Sequence, residues 1–199
     1  MSVRADAHGG IAALRAELLD GLSGRVVEIG AGNGLNFPHY PGTVTDVLAV
    51  EPEPVLRRLA ERAADHVTAP VRVVSGTAEA LPAADASFDA AVCCLVLCTV
   101  GDLPRSLAEL HRVVRPGGEV RFFEHGLAPG PGTAAVQRAL DRTVWPRLFG
   151  GCHTARDVLA ALEAAGFEIT AQRGVRVPER GPALPTSSCV LGAARRPPG

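Results

Sequence analysis

Apolar residues at 11, 14, 18, 19 and 22 recur at the three-and-four spacing of a helix face, and Ser23-Gly24 closes the segment. Directly after it, Arg25-Val26-Val27-Glu28-Ile29 is a short β-branched run ending on Gly30, which reads as a buried strand. The same reading gives strands over 46–51 (DVLAVE), 71–75, 88–97 (FDAAVCCLVL, the most apolar stretch) and 119–124 (EVRFFE). Residues 54–66 read as a helix with Leu56, Leu59, Ala60 and Ala63 inward. Asp102 starts another, which runs to about Val114 and is broken by Arg115-Pro116-Gly117-Gly118. Residues 133–149 and 154–165 read as two helices, the second opened by Thr154 and Asp157 as a capping box. Segments 167–172 and 188–194 are the last strands, 178–185 is a loop, and residues 1–10 and the closing RRPPG are polar tails.

Strands alternating with helices through residue 124 predict an α/β fold of the Rossmann-like, doubly wound kind. The expected sheet is mostly parallel and seven-stranded, with helices on both faces. The last two strands have no long helix between them, so they are expected to pair as a hairpin at the sheet edge. A chain of 199 residues suits one domain over 1–199. Residues 20–125 would form a ligand-binding core, and 126–199 the helices and edge strands that cover it.

Composition narrows the function. Twenty Arg and no Lys stand against 21 Asp plus Glu, for a net charge of −1. That balance argues against a nucleic-acid partner, which calls for a basic surface. Five cysteines, at 93, 94, 98, 152 and 189, are odd in number and form no CxxC pair. A reduced, cytoplasmic setting is therefore expected rather than a disulfide scaffold. No apolar run is long enough to span a bilayer, and MSVRADAHGG has no signal-peptide core.

The chemistry concentrates in Glu28-Ile29-Gly30-Ala31-Gly32-Asn33-Gly34. A strand runs straight into three alternate glycines, where the backbone can approach a ligand closely. The loop lies at the carboxyl end of the first strand, where open α/β sheets bind ligands. Its spacing is GxGxG, not the GxGxxG of dinucleotide sites, because position 35 is Leu. Glu28, two residues before the first glycine, would repel a pyrophosphate and attract an ammonium group. Glu51 ends the second strand 21 residues after Gly30, close to the offset of a ribose-binding carboxylate. A nucleoside with free ribose hydroxyls and a cationic, phosphate-free tail satisfies both acids, and S-adenosyl-L-methionine is such a molecule. The segment GTAEALP follows the third strand and places Ala78 and Glu79 as candidates to hold the adenine.

VVEIGAGNG, AVEP, GTAEALP, SFDAAVC and LHRVVRPGG, in that order, resemble the class I S-adenosylmethionine-dependent methyltransferases over about residues 20–125. NFPHYP at 36–41, CLVLC at 94–98, FEH at 123–125 and Trp145 with Gly151-Cys152 resemble a subfamily that includes the animal alkyl-thiol S-methyltransferases. The resemblance implies a methionine tail near Glu28, Gly30, Ala31, Gly32, Asn33, Gly34 and Asn36. It also implies ribose at Glu51, adenine beside Pro52, Thr77, Ala78 and Glu79, and Leu95, Val96 and Leu97 as the floor beside the sulfonium. The animal members have Asp at the ribose position, where Glu51 stands here. They carry an N-terminal membrane anchor with no counterpart in this sequence, so no membrane anchor is expected.

Methyl transfer from a sulfonium is an in-line substitution that depends on positioning and desolvation. Thiol S-methylation of a small molecule is the leading expectation. Oxygen, nitrogen or carbon acceptors, including a lipid or quinone, and a non-transfer role for the bound cofactor are the alternatives. The catalytic candidates are His125, Glu124 as its support, and His153. No metal is expected, because Cys93 and Cys94 face opposite sides of a strand. Phe37 and Tyr40 are candidate shields of the site, and Gln137 and Asp141 lie on a late helix with a solvated face. With about 75 residues left after the core, there is no room for a separate substrate domain, which favours a small-molecule acceptor. The oligomeric state is not legible.

Overall fold

The computed structural model describes residues 10–179 and 184–199. The expected N-terminal tail, apart from residue 10, and the middle of the expected 178–185 loop lie outside them. The elements run α1 (Ile11–Leu19), β1 (Gly24–Ile29), a 3-10 turn (Phe37–His39), β2 (Val44–Val50), α2 (Pro54–Ala64), β3 (Val71–Val74) and β4 (Phe88–Cys94). They continue with α3 (Leu103–Val113), β5 (Val114–His125), α4 (Pro131–Asp141), α5 (Trp145–Leu148), α6 (Val158–Ala164), β6 (Glu168–Arg176) and β7 (Ser188–Arg195).

All seven strands form one sheet in the order β3-β2-β1-β4-β5-β7-β6. The first five are parallel, and the β6–β7 hairpin is added antiparallel at the β5 edge. The chain reverses direction across the sheet between β1 and β4, so their carboxyl ends frame the crevice where such sheets bind ligands.

Alternation along the strands sorts side chains onto two faces. Val27, Ile29, Ala91, Cys93, Val120 and Phe122 meet Leu107, Leu110, Val158 and Leu162 of α3 and α6. Val26, Val47, Ala49, Val92, Cys94 and Phe123 meet Ile11, Leu18 and Leu19 of α1 and Ala60 of α2. Adjacent Cys93 and Cys94 thus fall in different cores. Among the described residues, no helix is long and apolar enough to cross a membrane.

Several boundaries differ from the sequence pattern, each for a local reason. α1 ends at Leu19, and Leu22 stays buried in the turn that follows. Arg15 sits on the buried face of α1, only 6% exposed, at i+4 from Ile11. Leu59, expected inward on α2, is 41% exposed, while Ala60 beside it is buried. β4 stops at Cys94 because Leu95 turns into the left-handed region at φ 57°. The proline-glycine turn does end α3, but the chain is already paired to β4 at Val114, with a register shift before the regular ladder.

The helix expected over 133–149 is broken into α4 and α5. Asp141, at the end of α4, accepts hydrogen bonds from the backbone N–H groups of Thr154 and Ala155 and from the Thr154 hydroxyl, at 2.8–3.0 Å. That engagement also removes Thr154 from the expected capping box. Asp157 itself caps α6 by accepting from the Ala160 N–H at 3.0 Å, so the helix starts at Val158.

Gly192 in β7 lies under the Phe122 ring. A Cβ there would approach Phe122 Cζ to 2.7 Å and collide with the Ala171 carbonyl oxygen. Gly192→Ala is expected to lower unfolding free energy by about 1–3 kcal/mol through overpacking. Denaturant unfolding checks this, and an unchanged midpoint would show that the hairpin can shift away from β5.

Candidate active site

The site is built on three loops at the carboxyl ends of β1, β2 and β4. The β1 loop turns at Gly30 and Gly32, with φ of 62° and 59°. A Cβ at Gly30 would come within 2.9 Å of Val96 Cβ, so the glycine is required by the β4 loop packed beneath it. A Cβ at Gly32 would meet nothing within 4 Å and would project into the open cradle. Gly34 serves packing instead, since a Cβ there would strike the Phe37 ring at 2.7 Å.

Glu51 follows β2, is nearly fully buried, and its carboxylate grips the glycine loop. Oε2 accepts from the Gly32 N–H at 2.8 Å and Oε1 from the Glu53 N–H at 2.9 Å. These bonds fix the carboxylate and leave lone pairs for ligand hydroxyls.

Glu28, on the α1 face of β1, accepts from Asn36 Nδ2 at 2.9 Å and from the Tyr40 hydroxyl at 2.7 Å. Arg15 of α1 donates to Asn36 Oδ1 at 2.7 Å and to Cys94 Sγ at 3.1 Å. Burial pushes the Glu28 carboxyl up to about 7, against the opposing pull of Tyr40, Asn36 and the Arg15 charge. Tyr40 and Phe37 therefore support the site from behind, with Tyr40 holding the acid. Arg15 was missed in the sequence, although its i+4 spacing from Ile11 marked it as facing inward.

The β4 loop is organised by Glu124, which is 0% exposed. Its carboxylate accepts from the N–H groups of Val96 and Leu97, both at 2.9 Å, and of Cys98 at 3.3 Å. Arg156 holds the same loop from the other side, donating to the Leu97 and Val100 carbonyls at 2.7 and 2.8 Å.

Two cavities meet at Gly30, Gly32 and Leu95. One, of about 390 Å³, is walled by Glu51, Pro52, Thr77, Ala78, Glu79 and Val96. The other, of about 460 Å³, is walled by Arg15, Glu28, Ala31, Asn33, Asn36, Cys98, His125, Trp145, Phe149 and Cys152, among others. The structure thus brings together every expected ligand-binding residue except Gly34 and Leu97, the latter fully buried in the core on the α3 face rather than flooring the site.

The expected catalytic residues separate. His125, at the end of β5, faces the larger cavity with Nδ1 3.5 Å from Cys152 Sγ. Glu124 is turned away into its three amides. His153 is not part of the cavity wall, and its Nδ1 lies 3.7 Å from Asp141 Oδ2. Gln137 is 1% exposed rather than solvated, and its amide ties together the Gly126, Ala128, Thr154 and Pro185 backbones. Trp145, Phe149, Cys98 and Thr99 complete the cavity, and nothing in their local spacing announced it.

A Methyltransferase domain family model matches residues 27–122. Thiol S-methyltransferase TMT1A of Homo sapiens is 35% identical over 166 residues, covering 79% of this chain and 66% of that protein. Thiol S-methyltransferase TMT1B of Mus musculus is 35% identical over 156 residues, covering 75% and 63%. The chain therefore spans just under two thirds of the length of these curated relatives. Among solved structures, an S-adenosylmethionine-dependent methyltransferase from Mesorhizobium loti superposes with a TM-score of 0.67 at 23% identity, covering 96% of this chain and all of that one. Geranyl diphosphate methyltransferase, solved with S-adenosylmethionine, gives 0.70 at 17% identity, with 94% and 84% coverage, and the [4+2]-cyclase SpnF gives 0.74 at 22%, with 95% and 80%. A mostly parallel sheet with a GxGxG turn held by the acid after β2, together with these relatives, makes this chain a member of the class I S-adenosylmethionine-dependent methyltransferase family.

Proposed function

We propose that the chain transfers the methyl group of S-adenosylmethionine to the sulfur of a small thiol. The observation that carries this reading is the junction of the two cavities at Gly30, Gly32 and Leu95, with Glu51 on one side and Glu28 on the other. A nucleoside held at Glu51 and an ammonium held at Glu28 would bring the sulfonium to that junction, on the side walled by Cys98, His125 and Cys152.

The residues fit the cofactor on structural grounds. The Gly32 cradle is open, the Glu51 carboxylate is fixed by two amides, and Glu28 is a buried acid with a raised affinity for a proton or another cation. When bound, the sulfonium supplies an activated methyl group. The chain binds and orients, and excludes water. Leu95 and Val96 floor the junction, Trp145 and Phe149 close the acceptor side, and His125 orients the acceptor sulfur. Glu124 is a positioning residue, since it shapes the loop that carries Leu95 and Val96.

A thiol fits this cavity for a chemical reason. It ionises partly near neutral pH and is intrinsically nucleophilic, so it needs little base catalysis. The likeness to thiol S-methyltransferases points the same way. The test is S-adenosylhomocysteine release with a panel of small thiols, phenols and amines. Turnover with thiols is expected, and turnover confined to phenols or amines would overturn the thiol assignment.

Glu51→Ala is expected to weaken S-adenosylmethionine binding by about 1–3 kcal/mol, from lost charged hydrogen bonds and a loosened Gly32 turn. Calorimetry checks this, and equal affinity would remove ribose from that position.

Glu28 makes binding depend on pH. Its carboxyl loses a proton near pH 7 rather than near 4.5, and only the anion attracts an ammonium group. Cofactor affinity is expected to rise between pH 6 and pH 8. Because the folded value lies above the unfolded one, the ligand-free protein should lose stability from this group as pH rises from 4.5 to about 7. Glu28→Gln should flatten both profiles, and a variant that keeps the wild-type slopes would assign them to another group.

A further inference from the structure

We propose that Cys98, His125 and Cys152 form a three-ligand site for a thiophilic divalent cation, zinc above all, in the wall that faces the methyl group. Three elements distant in sequence supply one ligand atom each: the loop after β4, the end of β5 and the turn between α5 and α6. The two sulfurs and the imidazole nitrogen all lie within 4.8 Å of one another.

The spacing is that of a metal site. Tetrahedral zinc, with sulfur at about 2.3 Å and nitrogen at about 2.0–2.1 Å, sets its ligands roughly 3.6 Å (S···N) and 3.8 Å (S···S) apart. Cys152 Sγ lies 3.5 Å from His125 Nδ1. The metal would therefore enter with little movement of the His125–Cys152 pair.

The backbone around the ligands is fixed before any metal arrives. The Cys98 N–H donates to Glu124 at 3.3 Å, and its carbonyl accepts from the His153 N–H at 2.7 Å. The Cys152 N–H donates to the Phe149 carbonyl at 3.1 Å. His125 is held in register opposite Cys189 on β7. Such support is what orients ligands in protein metal sites. The other cysteines serve as a contrast, since Cys93 and Cys94 are divided between the two cores and Cys189 lies outside this cluster.

Three protein ligands and an open position mark a catalytic zinc site rather than a structural one. The open side faces the cavity shared with Leu95 and the glycine loop. Two thiolates and a neutral imidazole cancel the charge of a dication, so the filled site adds no net charge to a buried wall. This part rests on the thiol reading above. The acceptor thiol coordinates as a thiolate and releases its proton to solvent. A sulfur lone pair then forms the new S–CH3 bond as the sulfonium C–S bond breaks, with its pair returning to S-adenosylhomocysteine. The product thioether is a weak ligand and leaves. No oxidant or reductant is needed.

The test uses the full chain, reduced and freed of metal with a chelator, then titrated with Zn²⁺ alone and separately with Co²⁺. The expected result is one ion per chain, with the Co²⁺ spectrum showing tetrahedral thiolate coordination. Cys98→Ser and Cys152→Ser should each weaken Zn²⁺ binding by at least about a hundredfold, and Cys189→Ser should leave it unchanged. S-adenosylmethionine affinity monitors folding, and His125→Gln replaces any cysteine variant that fails this control. Absence of stoichiometric Zn²⁺ uptake by the reduced protein overturns the proposal, as does uptake unaffected by these substitutions. Thiol turnover that survives exhaustive chelation overturns the metal role while leaving the thiol reading intact. Tight Zn²⁺ binding with no thiol turnover leaves the site standing and removes its substrate.

Discussion

The candidate site depends on one buried acid that does not line either of its two cavities. Glu124 sits at the end of β5 with no exposure, and its carboxylate gathers the N–H groups of Val96, Leu97 and Cys98. An ionised carboxylate in an apolar interior is costly unless it is fully hydrogen-bonded. Three amide donors from one loop oppose that cost, although burial still holds the Glu124 carboxyl above the usual carboxylate range, and their bonds give the loop one shape. That shape turns Leu95 into the left-handed region, places Val96 under Gly30, and brings Cys98 beside Cys152 and His125.

A second acid, Glu51, does the same for the glycine loop through the Gly32 N–H. The two loops therefore constrain each other through the Gly30–Val96 contact, and the cavities meet where they touch. Glu28 differs in kind. Its neighbours Asn36, Tyr40 and Arg15 form a polar chain that orients it, but burial still leaves its carboxyl near neutrality. Of the three acids it is the one that lines the larger cavity.

The covering segment after β5 follows the same logic of polar residues joining distant backbone. Gln137 and Asp141, on a helix that looks solvated in sequence, hold the chain near Thr154 and so set where Cys152 stands. The wall facing the junction is thus positioned from both ends, by Glu124 through the β4 loop and by Asp141 through the turn before α6. The geometry of that wall is thus set by residues that do not line the cavity.

Local sequence determined much of this protein. Strand–helix alternation gave the mostly parallel sheet, the absence of a long helix between the last strands gave the edge hairpin, and the glycine turn with Glu28 and Glu51 marked the loops that frame the crevice. These features are legible because they rest on periodicity and on short-range spacing of backbone and acid. Only the tertiary structure decided the wall of the larger cavity. Cys98, His125, Trp145 and Cys152 are separated by up to 54 residues and share no local pattern. Glu124 and His125 are neighbours in sequence, yet the pleat sends one into the core and the other to the cavity. Burial likewise decided the roles of Arg15, Gln137 and Asp141, because the partners of a buried polar side chain lie across the fold rather than along the chain.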